Sequence, residues 1–338
     1  MQTTRETVKA TWTMKVVPLL AAATMLMSGT AFAQDAYPSK PIRMIVPLPP
    51  GGPGDALARS VATPLSKLLN VPIVVENRGG AGGSLGVSQL AKLPNDGYTI
   101  GLVSAGTQSI NPFIYSTLAY DPGKDFEAVS PLASYVNVVI CNPKLAANSM
   151  AELIAMAKAK PGSVTVGTGG NGTSSHLALE VIKFLSGAPI QHIPYRGGGP
   201  ALIDLLGGNI SCVVDALAVP LPHVHSGRLK ALAVSSATRS VYAPQIPTMA
   251  ESGLQGFPEA SGQLWMGLVA PAGTPKAIVD KLNAAIQQVL RADPATRKTF
   301  ETQGFDAMLM PAPQFFSFMQ RDRELWGNIV KSSGAKAD

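Results

Sequence analysis

Ile42-Arg43-Met44-Ile45-Val46, the turn Pro47-Leu48-Pro49-Pro50-Gly51-Gly52-Pro53-Gly54, and the run from Asp55 to Leu69 decide the fold. The first five residues form an apolar run of strand length. The next eight are Pro and Gly with one Leu, a composition that ends a strand and shapes a loop. From Asp55 onward, Leu57, Val61, Leu65 and Leu68 recur at helical spacing. Strand, Gly-rich turn and helix follow one another once more, and a third strand comes after. Val71 to Glu76 reads as a second strand, Asn77 to Gly83 as a second Gly-rich turn, and Leu85 to Ala91 as a helix. Tyr98 to Ser104 reads as a third strand after the Asn95-Asp96-Gly97 turn. This βαβαβ order predicts an α/β fold with a parallel, helix-covered sheet.

A second α/β unit follows. Tyr135 to Cys141, Val164 to Val166, Gln191 to Tyr195, Ile210 to Asp215 and Leu229 to Ser235 read as strands. Ser149 caps a helix to Lys160, stopped by Pro161-Gly162. Further helices run from Ser174 to Leu185 and from Ala201 to Leu206. Leu264 to Val269 reads as a return strand, with Trp265 in a core or hinge role. Three late helices then close the chain: one ending at Arg291, Pro294 to Gln303, and Pro313 to Lys331. The expected layout is two lobes, each a mostly parallel sheet flanked by helices, facing across a cleft. Lobe 1 is expected from 34–134 plus 256–338, and lobe 2 from 135–255.

The 338 residues suffice for two such lobes, and 46% apolar with 14% charged residues is a globular composition. The N-terminus reads as a cleaved export signal over 1–33. Arg5, Lys9 and Lys15 are positive, Val16 to Met27 is apolar, and Ala31-Phe32-Ala33 supplies the small-residue cleavage pattern before Gln34. Met14 is an equally good start for this signal. No later run is long and apolar enough to suggest a membrane helix. Export predicts a periplasmic location. There Cys141 and Cys212 can either pair or stand as two small buried hydrophobes. A net charge of +6 on the full chain, without a dense Lys/Arg run, excludes a nucleic-acid surface.

Two loops carry the candidate chemistry. Pro49 to Asp55 and Gly167 to His176 each leave a strand, are rich in Gly, and open a helix. Helix starts leave backbone N–H groups unpaired and carry partial positive charge, and Gly lets a ligand reach them. Together they form an anion site without a charged side chain. Gly167, Gly169 and Gly172 also match the G-x-G-x-x-G spacing of dinucleotide sites. No acid ends the next strand, however, so no cofactor is expected. Ser174-Ser175-His176 lacks a nucleophile elbow, and His223 and His225 have no acidic or Cys partner nearby. Neither a catalytic residue nor a metal site is therefore expected.

The candidate ligand-binding residues are Pro50, Gly52, Pro53, Gly54 and Asp55 from the first loop, with Ser104 and Thr107 after the third strand. Gly169, Gly172, Thr173, Ser174 and Ser175 come from the second loop. Tyr195, Arg196 and Asp215 complete the set. Arg196 stands either as a ligand contact or as a plain surface group. Asp215 either accepts a bond from a ligand N–H or O–H, or locks a loop.

Several segments together resemble the Bug family, the extracytoplasmic solute receptors of tripartite tricarboxylate transporters. They are Tyr37 to Arg43, Val46 to Asp55, Val75 to Gly83, Asp96 to Thr99, Gly170 to Leu177, Pro194 to Gly197 and Ala270 to Pro275. The resemblance implies a type II periplasmic-binding-protein fold that closes like a flytrap. It implies a small organic carboxylate as ligand, membrane permease subunits as partners, a monomeric chain, and a receptor rather than an enzyme. A periplasmic sensor of the same fold is the alternative. By position, Gly52, Pro53, Gly54 and Asp55 form one jaw, and Thr173, Ser174 and Ser175 the other. The chain departs from the family at Leu48 (often Phe), at Gly54 (Ser or Thr), at Ala216 (usually Asn) and at Met266 (often Phe).

Overall fold

Ile42, Met44, Ile45 and Val46 are shut away from solvent. A strand so apolar along its length needs cover on both faces, and this one is central. In the computed structural model, which describes residues 2, 37–217, 219–257 and 264–333, it is β1 (Ile42–Val46). The export signal, its cleavage site and Met14 lie outside the described residues. Contacts separate Met1–Ser39 from one compact unit that begins at Lys40.

β1 pairs in parallel with β2 (Ile73–Asn77) and with β3 (Thr99–Ser104). Helix α1 (Pro53–Leu69) connects β1 to β2 and buries Leu57, Val61 and Leu65. Burial of each such side chain contributes about 1.5–3 kcal/mol. Pro64 sits inside α1 and cannot donate to the Ser60 carbonyl. The Thr296 hydroxyl donates to that carbonyl instead, at 2.9 Å. A helix α2 (Ser84–Leu90) precedes β3.

The first sheet has six strands in the order β11-β4-β10-β3-β1-β2. Its second half is antiparallel. β10 (Leu264–Pro271) runs between β3 and β4 (Phe126–Tyr135), and the short β11 (Asp306–Ala307) lies beside β4. The sequence reading placed nothing at β4. Its run Phe126 to Tyr135 mixes Glu127, Ser130 and Pro131 with apolar residues, and no clean period marks it as a strand. Trp265 on β10 is fully buried, packs edge-on against Phe315 and Phe318, and donates Nε1–H to Asp322 at 2.7 Å.

The second sheet has the order β7-β6-β8-β5-β9. β5 (Asn137–Cys141) begins one residue after β4, so a nearly continuous ribbon passes from one sheet to the other through Val136. β6 (Thr165–Thr168) pairs in parallel with β7 (Gln191–Pro194) and with β8 (Cys212–Ala216). β5 lies antiparallel between β8 and β9 (Lys230–Val234). Each sheet thus has the expected parallel core, extended by antiparallel strands. Cys141 and Cys212 are directly opposite on β5 and β8 and form a disulfide, which decides between the two readings of that pair.

Helix α3 (Met150–Ala159) is capped by Ser149, whose hydroxyl accepts from the Glu152 N–H. α4 (Ser174–Ser186) and α5 (Gly198–Gly207) follow β6 and β7, and α5 begins three residues earlier than the spacing predicts. After β10, helices α6 (Lys276–Ala292), α7 (Pro294–Gln303) and α8 (Ala312–Ser333) return to the first sheet. α6 and α8 pack on β4, and α7 packs on α1.

Candidate functional site

A cavity of about 230 Å³ lies where the two sheets meet, and residues of both line it. Its walls are three βα turns at the carboxyl ends of parallel strands, the place where open α/β sheets bind ligands.

The first turn leaves β1. Pro50, Gly51, Gly52, Pro53 and Gly54 all line the cavity. Gly52 occupies the N-cap of α1 with no side-chain cap, and Pro53 has no N–H, so the donors left at this helix start are main-chain groups of the next residues. Gly54 leaves room for Leu48, whose side chain occupies the place a Cβ at 54 would need. Asp55 does not reach the cavity, and it is not the N-cap. Its carboxylate accepts from Gly51 N–H at 3.0 Å, from Arg59 at 3.0 Å and from Asn77 at 2.9 Å. Burial alone would push this carboxyl up, but those three donors outweigh it and hold it below its ordinary value. Asp55 locks the turn from behind.

The second turn joins β6 to α4. Gly169, Thr173, Ser174 and Ser175 line the cavity. Thr173 is the N-cap, accepting from His176 N–H, and its hydroxyl donates to the Gly170 carbonyl at 2.7 Å. The Ser175 hydroxyl accepts from Gly169 N–H at 3.1 Å, so part of this turn's donor capacity is spent internally. Gly172 points elsewhere. It packs against Tyr115 and Gly82, and its N–H donates to His176 Nδ1 at 3.4 Å.

The third turn, after β7, contributes Arg196, Gly197, Gly198, Gly199 and Pro200. Gly197 caps α5 with no side chain. Arg196 is exposed and makes no ion pair among the described residues. Tyr195 turns away from this cavity and donates its hydroxyl to Asp204 at 2.7 Å. Ser104 and Gly106 add a wall from β3. Thr107 lies behind them, fully buried, with its hydroxyl accepting from Ser104 N–H at 3.1 Å.

The structure therefore gathers eleven of the fifteen candidates around one cavity, namely all except Asp55, Thr107, Gly172 and Tyr195. Tyr135, Asn137, Gly82 and Gly198 line it without having been singled out, as do Ala216 and Met266, noted above only as departures from the family. Gly82 had a legible signal, since it sits in the Gly-rich turn after β2. Tyr135 and Asn137 had none, because they flank a crossing between sheets. The Tyr135 hydroxyl lies 3.5 Å from that of Ser174, and burial pushes it up to about 12.

Asp215 ends β8 at the cavity floor. Oδ1 accepts from Ala216 N–H at 2.8 Å, while Oδ2 is enclosed without a partner. Burial pushes this carboxyl up to about 6, against the pull of the Ala216 bond.

One group of potential metal ligands occurs among the described residues, His176, Glu180 and His192, behind the second turn. The two rings stack at 4.7 Å. His176 Nδ1 accepts a proton bond, which leaves Nε2 protonated. Glu180 is held by Lys183 at 2.8 Å, and His192 Nε2 lies 2.7 Å from the Thr168 hydroxyl. These donor atoms are engaged in bracing the turn.

The jaws touch. The Tyr115 hydroxyl donates to the Asn171 carbonyl at 3.2 Å, and Gly82 packs on Asn171 and Gly172. The chain matches the family described as tripartite tricarboxylate transporter family receptor over residues 57–335. It belongs to that family. Protein BugT of Bordetella pertussis is 38% identical over 303 residues, covering 89% of this chain and 92% of BugT. A Bug-type receptor fold also appears in solved structures. An R. palustris protein solved with adipate superposes with a TM-score of 0.83 at 31% identity, covering 88% of this chain and 98% of that one. MatC of Rhodopseudomonas palustris, solved with bound malate, gives 0.80 at 28% identity, covering 87% of this chain and 100% of MatC. This Bug receptor places Gly-rich turns of two sheets around one cavity.

Proposed function

We propose that this Bug receptor captures a small organic carboxylate in the cavity between its sheets and presents it, in the closed form, to a membrane permease. The observation that carries the reading is the convergence on a single cavity of three uncapped or Gly-rich helix starts and of Arg196, a cation without an ion pair among the described residues. The proposed leader puts the mature chain in the periplasm. The two sheets act as lobes, 34–134 with 256–338 and 135–255, and the chain acts as a monomer that binds no nucleic acid and turns nothing over.

The magnitudes favour a clamp. Micromolar affinity needs about −8 kcal/mol. One helix start gives an anion about 0.3–1 kcal/mol when exposed, and up to about 2 when partly buried. A single open turn is therefore insufficient, and enclosure by several turns strengthens each bond by excluding water. Ligand then shifts an open–closed equilibrium toward the form with touching jaws.

The test is a thermal-shift screen of carboxylates, preceded by native mass spectrometry for a co-purified acid. Gly52 has an ordinary extended backbone (φ −84°), and a Cβ there meets only the Pro49 carbonyl at 3.7 Å. Gly52→Leu and Ser174→Leu should therefore fold and fill the cavity, abolishing the ligand-induced shift. Unchanged binding in both variants defeats the assignment.

A further inference from the structure

The cavity wall carries two chemically different kinds of group. The N–H-lined turns and Arg196 suit a carboxylate. Asp215, Asn137 and Tyr135 also line it. Asp215 Oδ2 is enclosed with no donor, and both amide atoms of Asn137 are enclosed without a partner, although that residue is only 1% exposed. The Asp215 carboxylate presses against Gly198 at the start of α5, where any side chain would displace it. It is thus held in place and still lacks a donor.

An enclosed carboxylate oxygen without a partner is costly, and folded proteins rarely keep one unless a ligand or water completes it. Asn137 lies opposite Ala216 and Val138 opposite Asp215 on neighbouring strands, so the Asn137 and Asp215 side chains leave opposite faces of the sheet, while both residues line the cavity.

Resting on the carboxylate reading above, we infer that Asp215 recognises a hydrogen-bond donor on the ligand, so the preferred acid carries a hydroxyl or amino group besides its gripped carboxylate. A plain second carboxylate placed at Asp215 meets an acceptor-only group, and is disfavoured wherever Asp215 is ionised. Burial pushes Asp215 up to about 6, so that discrimination holds at neutral pH and weakens as pH falls through this value.

The experiment compares matched acids that differ by one donor: succinate with L-malate and L-aspartate, glutarate with L-glutamate, and butyrate with 3-hydroxybutyrate. Dissociation constants are measured by calorimetry at about pH 7.5 on the full mature chain. In the wild type the donor-bearing member of the tightest-binding set is expected to bind about tenfold better or more, as suits a bond to a charged group. Asp215→Leu should reduce that preference below about threefold, with the donor-free acid binding as well as or better than it does to the wild type. Asp215→Asn, which keeps an acceptor, should retain part of the preference for hydroxyl acids and lose that for amino acids. If Asp215→Leu does not fold, Asp215→Asn alone decides by this criterion. Equal or tighter binding of the donor-free acids overturns the inference and leaves the carboxylate reading standing. So does a preference that survives at Asp215→Leu. Indifference of the wild type to every acid overturns both.

Discussion

Gly82→Ala tests whether closure holds the ligand. Gly82 has φ +59°, in the left-handed region, and a Cβ there would lie 2.7 Å from the Asn171 carbonyl oxygen and 3.2 Å from the Gly172 carbonyl carbon. Both neighbours are main-chain atoms of the opposite jaw, so neither can swing aside, and the added methyl must part the jaws. The left-handed strain costs about 1–2 kcal/mol in open and closed forms alike. The clash costs about 1–3 kcal/mol more, in the closed form alone. Affinity should therefore fall by roughly 5- to 150-fold at about 1.4 kcal/mol per decade.

Gly162→Ala is the control. Its φ is +80°, and nothing lies within 4 Å of the added Cβ. It should lower the melting temperature of the unliganded protein about as much as Gly82→Ala does, yet bind ligand like the wild type. Calorimetry with the tightest acid from the screen reads affinity, and small-angle scattering reads closure. Equal affinities for Gly82→Ala and wild type, or an equal loss in Gly162→Ala, would refute the reasoning.

Three further outcomes are expected. Reducing the Cys141–Cys212 disulfide, or replacing both with Ala, should cost about 2–4 kcal/mol, since the bridge closes a loop with a sequence separation of 71; an unchanged urea midpoint would contradict this. Burial, with the neighbouring His176, lowers His192 to about 4, and burial lowers His176 too. The unfolded chain then takes up protons first, so their contribution is present above about pH 6.5 and lost as pH falls toward 4, and His192→Asn should flatten that part of the stability curve. Asp215 has the opposite sign. Raised from 3.8 to about 6, it favours the fold at low pH and loses that advantage as pH rises through the window. The stability gap between wild type and Asp215→Asn should shift by up to about 3 kcal/mol between pH 4 and 7, roughly 2.2 units at about 1.36 kcal/mol each. A gap independent of pH would show that Asp215 titrates normally.

Much of the fold was legible because its signals are local. Strand β1 and helix α1 announce themselves through a continuous apolar run and a 3.6-residue period. The cap at Ser149 and the stop at Pro161-Gly162 follow from single residues. What escaped depends on distant partners. β4 is a strand because β10 pairs along it, which no window of sequence shows. The disulfide depends on the β5–β8 register, fixed by residues about seventy apart.

The site divides in the same way. Gly-rich turns after strands were readable as anion grips. Asp55 looked like part of a grip, but its partners Gly51, Arg59 and Asn77 make it the turn's lock. Tyr195 and Thr107 are likewise drawn off by Asp204 and Ser104. Tyr135 and Asn137 became visible only when the ribbon through Val136 brought them under the jaws.

A jaw made of Pro and Gly main chain offers natural variation little to act on. Peptide N–H groups persist whatever side chain is exchanged, so the acid-holding half of the cavity is insulated from drift. Diversification of diet must then come through the few side chains that reach the space, chiefly Tyr135, Asn137, Arg196, Asp215 and Met266. They sit on separate strands and turns and can change one at a time. A laboratory library aimed at new cargo should randomise those five positions and leave the turns untouched.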